Sequence, residues 1–247
     1  MDLSGFDDRF LAAFVLGGPD YDAQLRAIRG QLRLHLQADE ELAKEIRAIE
    51  AFAKQASGIA NDRAVDEWVD HLHHSIFQDA AHSMAAVGML APLLESLFHH
   101  AFVGTRDLLT RHGWTAPAHA RWRLLPEQHW DCGYTSAGRK HLVAGVVELA
   151  AITGLSEFLP ANLKTTLDAL FGYRNKMLHL GFEWPEPERL AFAKTIEVNG
   201  WDPAWFSKAT SGGEPWMFYM SDAFIDHCLA MVEQIFDALG AFVRRHS

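Results

Sequence analysis

The chain lacks the sequence features that identify several common enzyme classes. It has two cysteines in 247 residues, Cys132 and Cys228, which lie far apart and outside any CxxC spacing. Neither a disulfide framework nor a thiolate zinc site is therefore indicated. The sequence also has no Gly-rich phosphate loop, no GxSxG and no HExxH. P-loop nucleotide hydrolysis, serine hydrolase chemistry and HExxH zinc chemistry consequently have no support.

Long hydrophobic runs are absent as well. The most apolar windows, residues 87–98 and 142–155, are short and contain Glu95 and Glu148. The first ten residues are acidic, whereas a secretory signal needs positive charge there. With 49% hydrophobic and 22% charged residues, the composition is that of a globular protein with a full core. We therefore expect a soluble cytoplasmic protein that does not associate with membranes.

Basic residues are outnumbered, because 22 Lys and Arg face 32 Asp and Glu and leave a net charge of -10. This charge repels polyanions at long range and argues against a protein that coats nucleic acid nonspecifically. A local basic cleft is still compatible with the sequence, and a solvated surface of mixed charge is the alternative. The denser basic group comprises Arg121, Arg123, Arg139, Lys140, Lys164, Arg174 and Lys176.

The sequence is instead rich in helical periodicity. Residues 21–57 combine helix-forming residues with a helical spacing of apolar positions, which predicts one long helix or two consecutive helices. Residues 61–111 repeat apolar side chains every three or four positions, and Pro92 is expected to kink or divide this segment. Residues 113–138 combine Pro and Gly with three tryptophans, which predicts a structured loop held by indoles.

The second half of the chain continues this pattern, with strand signals nearly absent. Three helices are expected: one over about 139–153, one that follows Pro160 and stops at Gly181, and one over about 185–198. A Trp-containing loop over 199–216 and a final helix capped by Ser221 or Asp222 complete the chain. The sequence thus predicts an all-α protein, mostly helical and with no sheet larger than a hairpin. We expect an antiparallel helical bundle over residues 61–247 with an N-terminal helical extension over 1–60, in one compact domain overall.

The most informative stretch contains Arg174, Asn175 and His179 on one predicted helix. It places a fixed positive charge, an amide and a group that titrates near neutral pH within about two helical turns. Such a set can bind a phosphate and move a proton.

The order Arg, Asn, and then His five residues after the Arg resembles the R-x(4–6)-H motif of the HEPN family. The resemblance spans at best residues 61–245. It implies a HEPN-like all-helical domain that is either a toxin or antiphage ribonuclease or a non-catalytic interaction and dimerisation domain. It also implies a homodimer in which two motifs line one cleft, with RNA as the substrate and an antitoxin or a nucleotidyltransferase as candidate partners.

Helix geometry limits what one copy of the motif can do. Residues five apart point about 140° away from each other, so Arg174 and His179 do not share a face, whereas Asn175 and His179 do. A purely structural role is the alternative. His179 lies in the last turn before Gly181, where an imidazole can satisfy helix carbonyls and the helix dipole, and Arg174 can pair with an acidic neighbour.

In the catalytic interpretation, His179 takes or returns the proton of a ribose 2′-OH that attacks the adjacent phosphate. Arg174 stabilises the charge that develops on the phosphoryl oxygens, and Asn175 orients His179 or the phosphate. Lys176 is an expected supporting residue. Glu95 and His99, four residues apart on the long helix, are either acidic and basic members of the same cleft or a surface pair. No cofactor is expected.

A competing pattern is a histidine-rich stripe on the long helix. Its members fall three or four residues apart on the side away from the main apolar face and comprise Glu67, His71, His74, Gln78 and His82. His and carboxylate ligands on adjacent turns can bind zinc or a similar metal. No second copy of the pattern appears on another helix, so a solvated or dimer-facing polar stripe is the preferred interpretation and a metal site at Glu67, His71, His74 and His82 is the alternative.

Overall fold

The computed structural model describes residues 5–247, except for the side chain of Ser211, and within this range the protein is mostly helical. The described residues form seven α-helices and one two-stranded antiparallel sheet. The helices are α1 Asp8–Leu16, α2 Tyr21–Gln55, α3 Ile59–Arg111, α4 Leu142–Thr153, α5 Leu163–Leu180, α6 Glu186–Val198 and α7 Asp222–His246. The strands are β1 Phe206–Ser211 and β2 Glu214–Met220.

Local sequence signals set the ends of several helices. The Asp7 carboxylate accepts a hydrogen bond from the first turn of α1, and the Ser221 hydroxyl does the same for α7. The helices α4 and α5 are followed by Gly154 and Gly181, whose φ angles are 79° and 71°. Glycine adopts this left-handed conformation without a Cβ penalty, so both helices end there.

The chain divides into two compact units. The first comprises the described residues up to Gln24, together with Leu90–Gly172 and Asp226–Ser247, and the second comprises Leu25–Met89 and Tyr173–Ile225. The helices α2, α3, α5 and α7 each contribute residues to both units. The sequence-based division into residues 1–60 and 61–247 stays a prediction.

In the first unit, two glycines allow α1 to approach neighbouring helices closely. A Cβ at Gly104 of α3 would collide with the backbone of Val15, and a Cβ at Gly240 of α7 would collide with the backbone of Asp8. Arg244 pairs with the same Asp8 at 2.8 Å. This close contact buries one side of α1, including Leu11.

The segment between α3 and α4 is a structured loop, as its tryptophans predicted. The rings of Trp114, Trp122 and Trp130 contact one another with centroids 5.7–6.4 Å apart. Together they form a compact aromatic cluster that orders a segment without long helices.

Arg121 lies at the centre of this loop and is fully buried. Its guanidinium donates to the Glu148 carboxylate of α4 at 2.9 Å and to four backbone carbonyls, those of Gln128, His129, Asp131 and Tyr134. The sequence placed Arg121 in a group with either a basic-cleft or a solvated-surface role, and for this residue both interpretations are wrong. Its five donor contacts organise the loop instead.

In the second unit, α2 and the first part of α3 form an antiparallel helical hairpin. Asn61 closes its turn by donating to the carbonyl of Ala53 at 2.7 Å. The β-hairpin packs over an aromatic core formed by Tyr173, Trp184, Phe192, Phe206 and Phe218. Ser83 of α3 fixes the end of β2, because its hydroxyl accepts from the backbone N–H of Met220 at 2.8 Å.

The mostly helical fold confirms the all-α prediction, with differences in detail. Residues 21–55 form one helix, the first of the two predicted alternatives, and α3 continues through Pro92 instead of dividing. The loop expected over residues 199–216 is wrong, because most of it is the β-hairpin and its glycine turn. The helix α1 falls within the expected N-terminal helical extension, although no separate helix was predicted there.

Helix α3 is also the longest apolar helix of the described chain. An 18-residue window within it has a mean hydropathy of 1.3, enough by length and composition to cross a membrane, and 56% of that window is buried inside the protein. Such burial is typical of a core helix in a soluble protein.

Candidate functional site

The Arg-Asn-His motif lies on the C-terminal half of α5, as predicted. Tyr173 and Met177 of the same turns are fully buried and attach this part of the helix to the core of the second unit. The Tyr173 hydroxyl donates to the carbonyl of Phe218 in β2 at 3.1 Å. Because the face of α5 that carries Tyr173 and Met177 is buried, the motif residues lie on the rest of the helix surface.

Arg174 is half-buried, while Asn175 and His179 are exposed. Within residues 5–247, none of these three side chains makes a hydrogen bond or an ion pair. Among the described residues, His179 therefore does not bond to helix carbonyls and Arg174 does not pair with an acidic neighbour. His179 does lie in the last turn of α5, where an imidazole interacts favourably with the helix dipole, so that part of the structural interpretation remains.

Lys176 has a partner, unlike the rest of the motif. Its ammonium pairs with the Glu188 carboxylate of α6, which compensates its charge locally. Arg174 is consequently the unpaired cation of this part of α5.

Glu95 and His99, the other expected supporting residues, lie on α3 in the first unit, and both are exposed. In the described structure no hydrogen bond or ion pair joins their side chains, so they do not form the surface pair that their spacing allows. The His99 ring instead contacts the ring of His100, with centroids 5.7 Å apart. Their role in a cleft stays a prediction.

The histidine-rich stripe on α3 is partly solvated and partly packed. Glu67 and His74 are exposed, as a solvated stripe requires, and His71 is half-buried. The C-terminal end of the stripe differs from that expectation, because Gln78 donates a hydrogen bond to the Asp39 carboxylate of α2 and His82 is buried. The reason is that α2 packs along this end of α3, which periodicity within α3 alone does not reveal. Among the residues that the structure describes, no group of three or more His, Cys, Asp or Glu is arranged to hold a metal ion.

His82 belongs to a polar cluster that the sequence did not predict, here called the Asp79 cluster. Its members come from α2, α3, β2 and the start of α7 and are His35, Asp39, Asp79, His82, Tyr219 and Asp222. The rings of His35 and His82 are stacked, with centroids 3.8 Å apart and planes 5° from parallel. His35 Nε2 lies 2.9 Å from Asp39 Oδ2, but the alignment does not meet that of a hydrogen bond.

The pKa values of two residues in this cluster are shifted, that of Asp79 upwards and that of His82 downwards. Burial, followed by the charges of Asp39 and Asp222, raises the pKa of Asp79 to about 6, although a hydrogen bond from Tyr219 opposes the shift. Burial and then the charge of His35 lower the pKa of His82 to about 4. Near neutral pH, His82 is therefore uncharged, and Asp79 is mostly ionised but keeps a larger protonated fraction than an ordinary aspartate.

Sequence reasoning singled out His82 but missed its partners. They lie more than 40 positions away on either side, at His35 and at Tyr219, and only the packing of α2 and β2 brings them together. The chain thus presents two polar groups, the motif on α5 and the Asp79 cluster. No protein-family model matches the chain, and no curated protein or solved structure matches it either.

Proposed function

We propose that this protein is a metal-independent endoribonuclease of the HEPN type, with a HEPN-like antiparallel bundle and a cytoplasmic role as a toxin or antiphage protein. Arg174, Asn175 and His179 are its proposed catalytic residues. The proposal rests on the motif and on the availability of its side chains to an external ligand.

One observation carries the proposal. The structure describes four arginines that are partly or fully buried, and they are Arg29, Arg121, Arg174 and Arg189. Of these four, only Arg174 has no hydrogen bond or ion pair. A half-buried guanidinium without an acceptor loses solvation and gains no partner. A phosphate would supply that partner by accepting two parallel hydrogen bonds.

The chemistry follows from the residue types. His179 removes the proton from a ribose 2′-OH, whose oxygen then bonds to the adjacent phosphorus while the bond to the 5′-oxygen breaks. The products are a 2′,3′-cyclic phosphate and a free 5′-hydroxyl, to which a protonated imidazole returns the proton. Arg174 stabilises the negative charge on the phosphoryl oxygens, and Asn175, on the same face as His179, orients the imidazole or the phosphate.

The proposed active form is a homodimer. Because Arg174 and His179 point about 140° apart on one helix, a phosphate bound by one protomer's arginine is poorly placed for the same protomer's histidine. A two-fold pair of α5 helices would bring the arginine of one protomer to the histidine of the other. An antitoxin or a nucleotidyltransferase is the proposed regulatory partner.

A non-catalytic HEPN-like interaction domain is the second candidate. The net charge of -10 favours it, because this charge disfavours the approach of RNA at long range. A nuclease with this charge would bind RNA through a local contact rather than through its overall field.

The test is cleavage of single-stranded RNA and of DNA of the same sequence in EDTA. We expect the RNA to be cut, with 2′,3′-cyclic phosphate ends, and the DNA to stay intact because it lacks the nucleophile. His179→Ala should abolish cleavage without changing the helical circular dichroism, since His179 is exposed. His112→Ala, another exposed histidine without a side-chain bond among the described residues, is the matched control and should retain full activity.

Arg174→Lys should lose most of the rate, because the charge is kept and the two-pronged geometry is not. Arg111→Lys, at an exposed position, is its control. Activity that survives His179→Ala would contradict the assigned base, and activity that needs a divalent metal would contradict the mechanism. A folded dimer that cuts no RNA would leave the interaction-domain candidate.

A further inference from the structure

The members of the Asp79 cluster other than His35 line a cavity of about 330 Å³ within the second unit. This volume lies in the range of small-molecule sites. The wall presents three carboxylates, those of Asp39, Asp79 and Asp222, and the hydroxyl groups of Ser207 and Tyr219. The last two pair across the β-hairpin, so they project from the same face of the sheet. Neither Lys nor Arg is among the described residues that line the cavity.

His82 presents a polar side chain to this cavity without a hydrogen bond among the described residues. Its side chain is 7% exposed and lines the cavity, and Asp222 Oδ1 lies 4.0 Å from Nε2. This distance is beyond hydrogen-bond range. Buried polar groups in folded proteins have a partner in nearly every case, so a group in the cavity that bonds His82 would satisfy it.

We propose that this cavity binds a small organic cation whose ammonium or guanidinium group is held by the carboxylates of Asp39, Asp79 and Asp222. Three carboxylates with no Lys or Arg among the described lining residues create a negative site, and Asp222 also neutralises the partial positive charge of the α7 N-terminus. An inorganic ion fits less well, because the described His and Asp side chains do not converge on one point. An organic cation spreads its donors over several ångströms and reaches separate acceptors.

Binding of such a cation has a second consequence, the release of a proton. The titratable groups that act on Asp79 are Asp39 on α2, Tyr219 on β2 and Asp222 on α7, and His82 on α3, which stacks on His35 of α2, lines the same cavity. A bound cation favours the ionised carboxylate of Asp79, which is partly protonated near pH 6. Binding at pH 6 should therefore release a fraction of a proton, and binding at pH 8 should release almost none.

The test is calorimetric titration of the full chain with agmatine, which carries both an ammonium and a guanidinium group. N-butylurea, an uncharged molecule of similar length, is the ligand control. We expect saturable one-to-one binding of agmatine, no binding of N-butylurea, and shifts of the His35 and His82 ring signals in NMR spectra. Titration at pH 6 in two buffers of different ionisation enthalpy measures the proton release.

Variants assign the binding to the cavity. Asp79→Asn should weaken agmatine binding about tenfold or more, as expected for loss of one charge-assisted contact, and should remove the proton release. Asp222→Asn tests the same site at a side chain that is 66% exposed, where folding is not at risk. Asp226→Asn, one helical turn further along α7 and exposed, is the matched control and should bind normally.

Each outcome decides between alternatives. A blocked Gly-Arg-Gly peptide that binds as tightly as agmatine would support the site with an arginine side chain of a partner as its source, and weaker peptide binding would support a free small molecule. The proposal is overturned if agmatine does not bind at millimolar concentration or if Asp79→Asn and Asp222→Asn bind it normally. If Zn²⁺ or Mg²⁺ bound more tightly than agmatine and shifted the same His35 and His82 signals, the cavity would be a metal site instead.

Discussion

Single residues in this protein show how strongly surroundings decide the role of a side chain. Arg121 and Arg174 have the same chemistry, but Arg121 donates to five acceptors inside the protein and Arg174 to none among the described residues. The first is fully used in folding, and the second is available for an external anion. Asp79 shows a third case, in which burial beside two other carboxylates makes ionisation less favourable than in an ordinary aspartate.

Asp79→Asn should stabilise the protein at alkaline pH. The pKa of Asp79 is raised to about 6 in the folded chain, above its ordinary value of 3.8. Its contribution to the free energy of unfolding is therefore complete below about pH 4 and is lost as the pH rises through 6. An uncharged Asn avoids the loss. We expect the urea midpoint of the variant to exceed that of the wild type at pH 8, and by less at pH 5.

His82 changes stability in the opposite direction over the same range. Its pKa is lowered to about 4 in the folded chain, so its contribution to the free energy of unfolding is present above pH 6.5 and is lost as the pH falls towards 4. The two residues therefore offset each other in the wild type, and Asp79→Asn should expose the acid sensitivity of His82. Asp226→Asn serves as the control. Equal midpoint changes at pH 5 and pH 8 would show that Asp79 is not the titrating group.

At the scale of elements, the parts that could be predicted are those with a local cause. The long helices α2 and α3 follow from apolar spacing, and the ends of α4 and α5 follow from Gly154 and Gly181. The β-hairpin could not be recognised in the same way, because its residues do not alternate clearly and only the Gly212-Gly213 turn signals it. The Asp79 cluster requires contacts between four elements, which no local pattern contains.

The segment between α3 and α4 depends on one side chain for its structure. Arg121→Lys keeps the charge but has three donors in place of five, so carbonyls of the loop and part of the Glu148 carboxylate lose their partner. The pKa of Glu148 is lowered, since burial raises it but hydrogen bonds from Ser136 and Arg121 outweigh that effect. We expect the variant to lose about 3–5 kcal/mol of unfolding free energy in urea titrations.

Arg123→Lys is the control for this experiment. Arg123 lies two residues further along, is exposed and has no side-chain bond within the described residues, so its replacement should change stability by less than about 0.5 kcal/mol. If Arg121→Lys were as mild as the control, the carbonyl contacts would contribute little and the tryptophan cluster alone would order the loop.

At the scale of the whole molecule, the proposed ribonuclease activity requires more than one chain. Half-buried Arg174 and exposed His179 point in different directions around α5, so the proposed site depends on how two protomers pair. Helical periodicity could predict the helix that carries the motif. It could not predict the pairing, because a dimer interface depends on surface shape and charge rather than on local sequence.

A mixing experiment tests the shared site directly. Arg174→Ala and His179→Ala proteins should each be inactive, because every cleft then lacks either its arginine or its histidine. After subunit exchange, half of the dimers are mixed, and each mixed dimer has one cleft with an intact Arg174 from one protomer and an intact His179 from the other. RNA cleavage should then recover to about a quarter of the wild-type rate.

Recovery in this mixture cannot come from a site within one chain, since no chain holds both residues. A mixture that stays inactive, although light scattering and mass spectrometry show that mixed dimers form, would place Arg174 and His179 in a site within one protomer. A monomer at micromolar concentration would remove the proposed dimer altogether. Pairing between protomers would thus explain how a helix with diverging groups forms the proposed ribonuclease site, and the fraction of activity recovered measures whether it does.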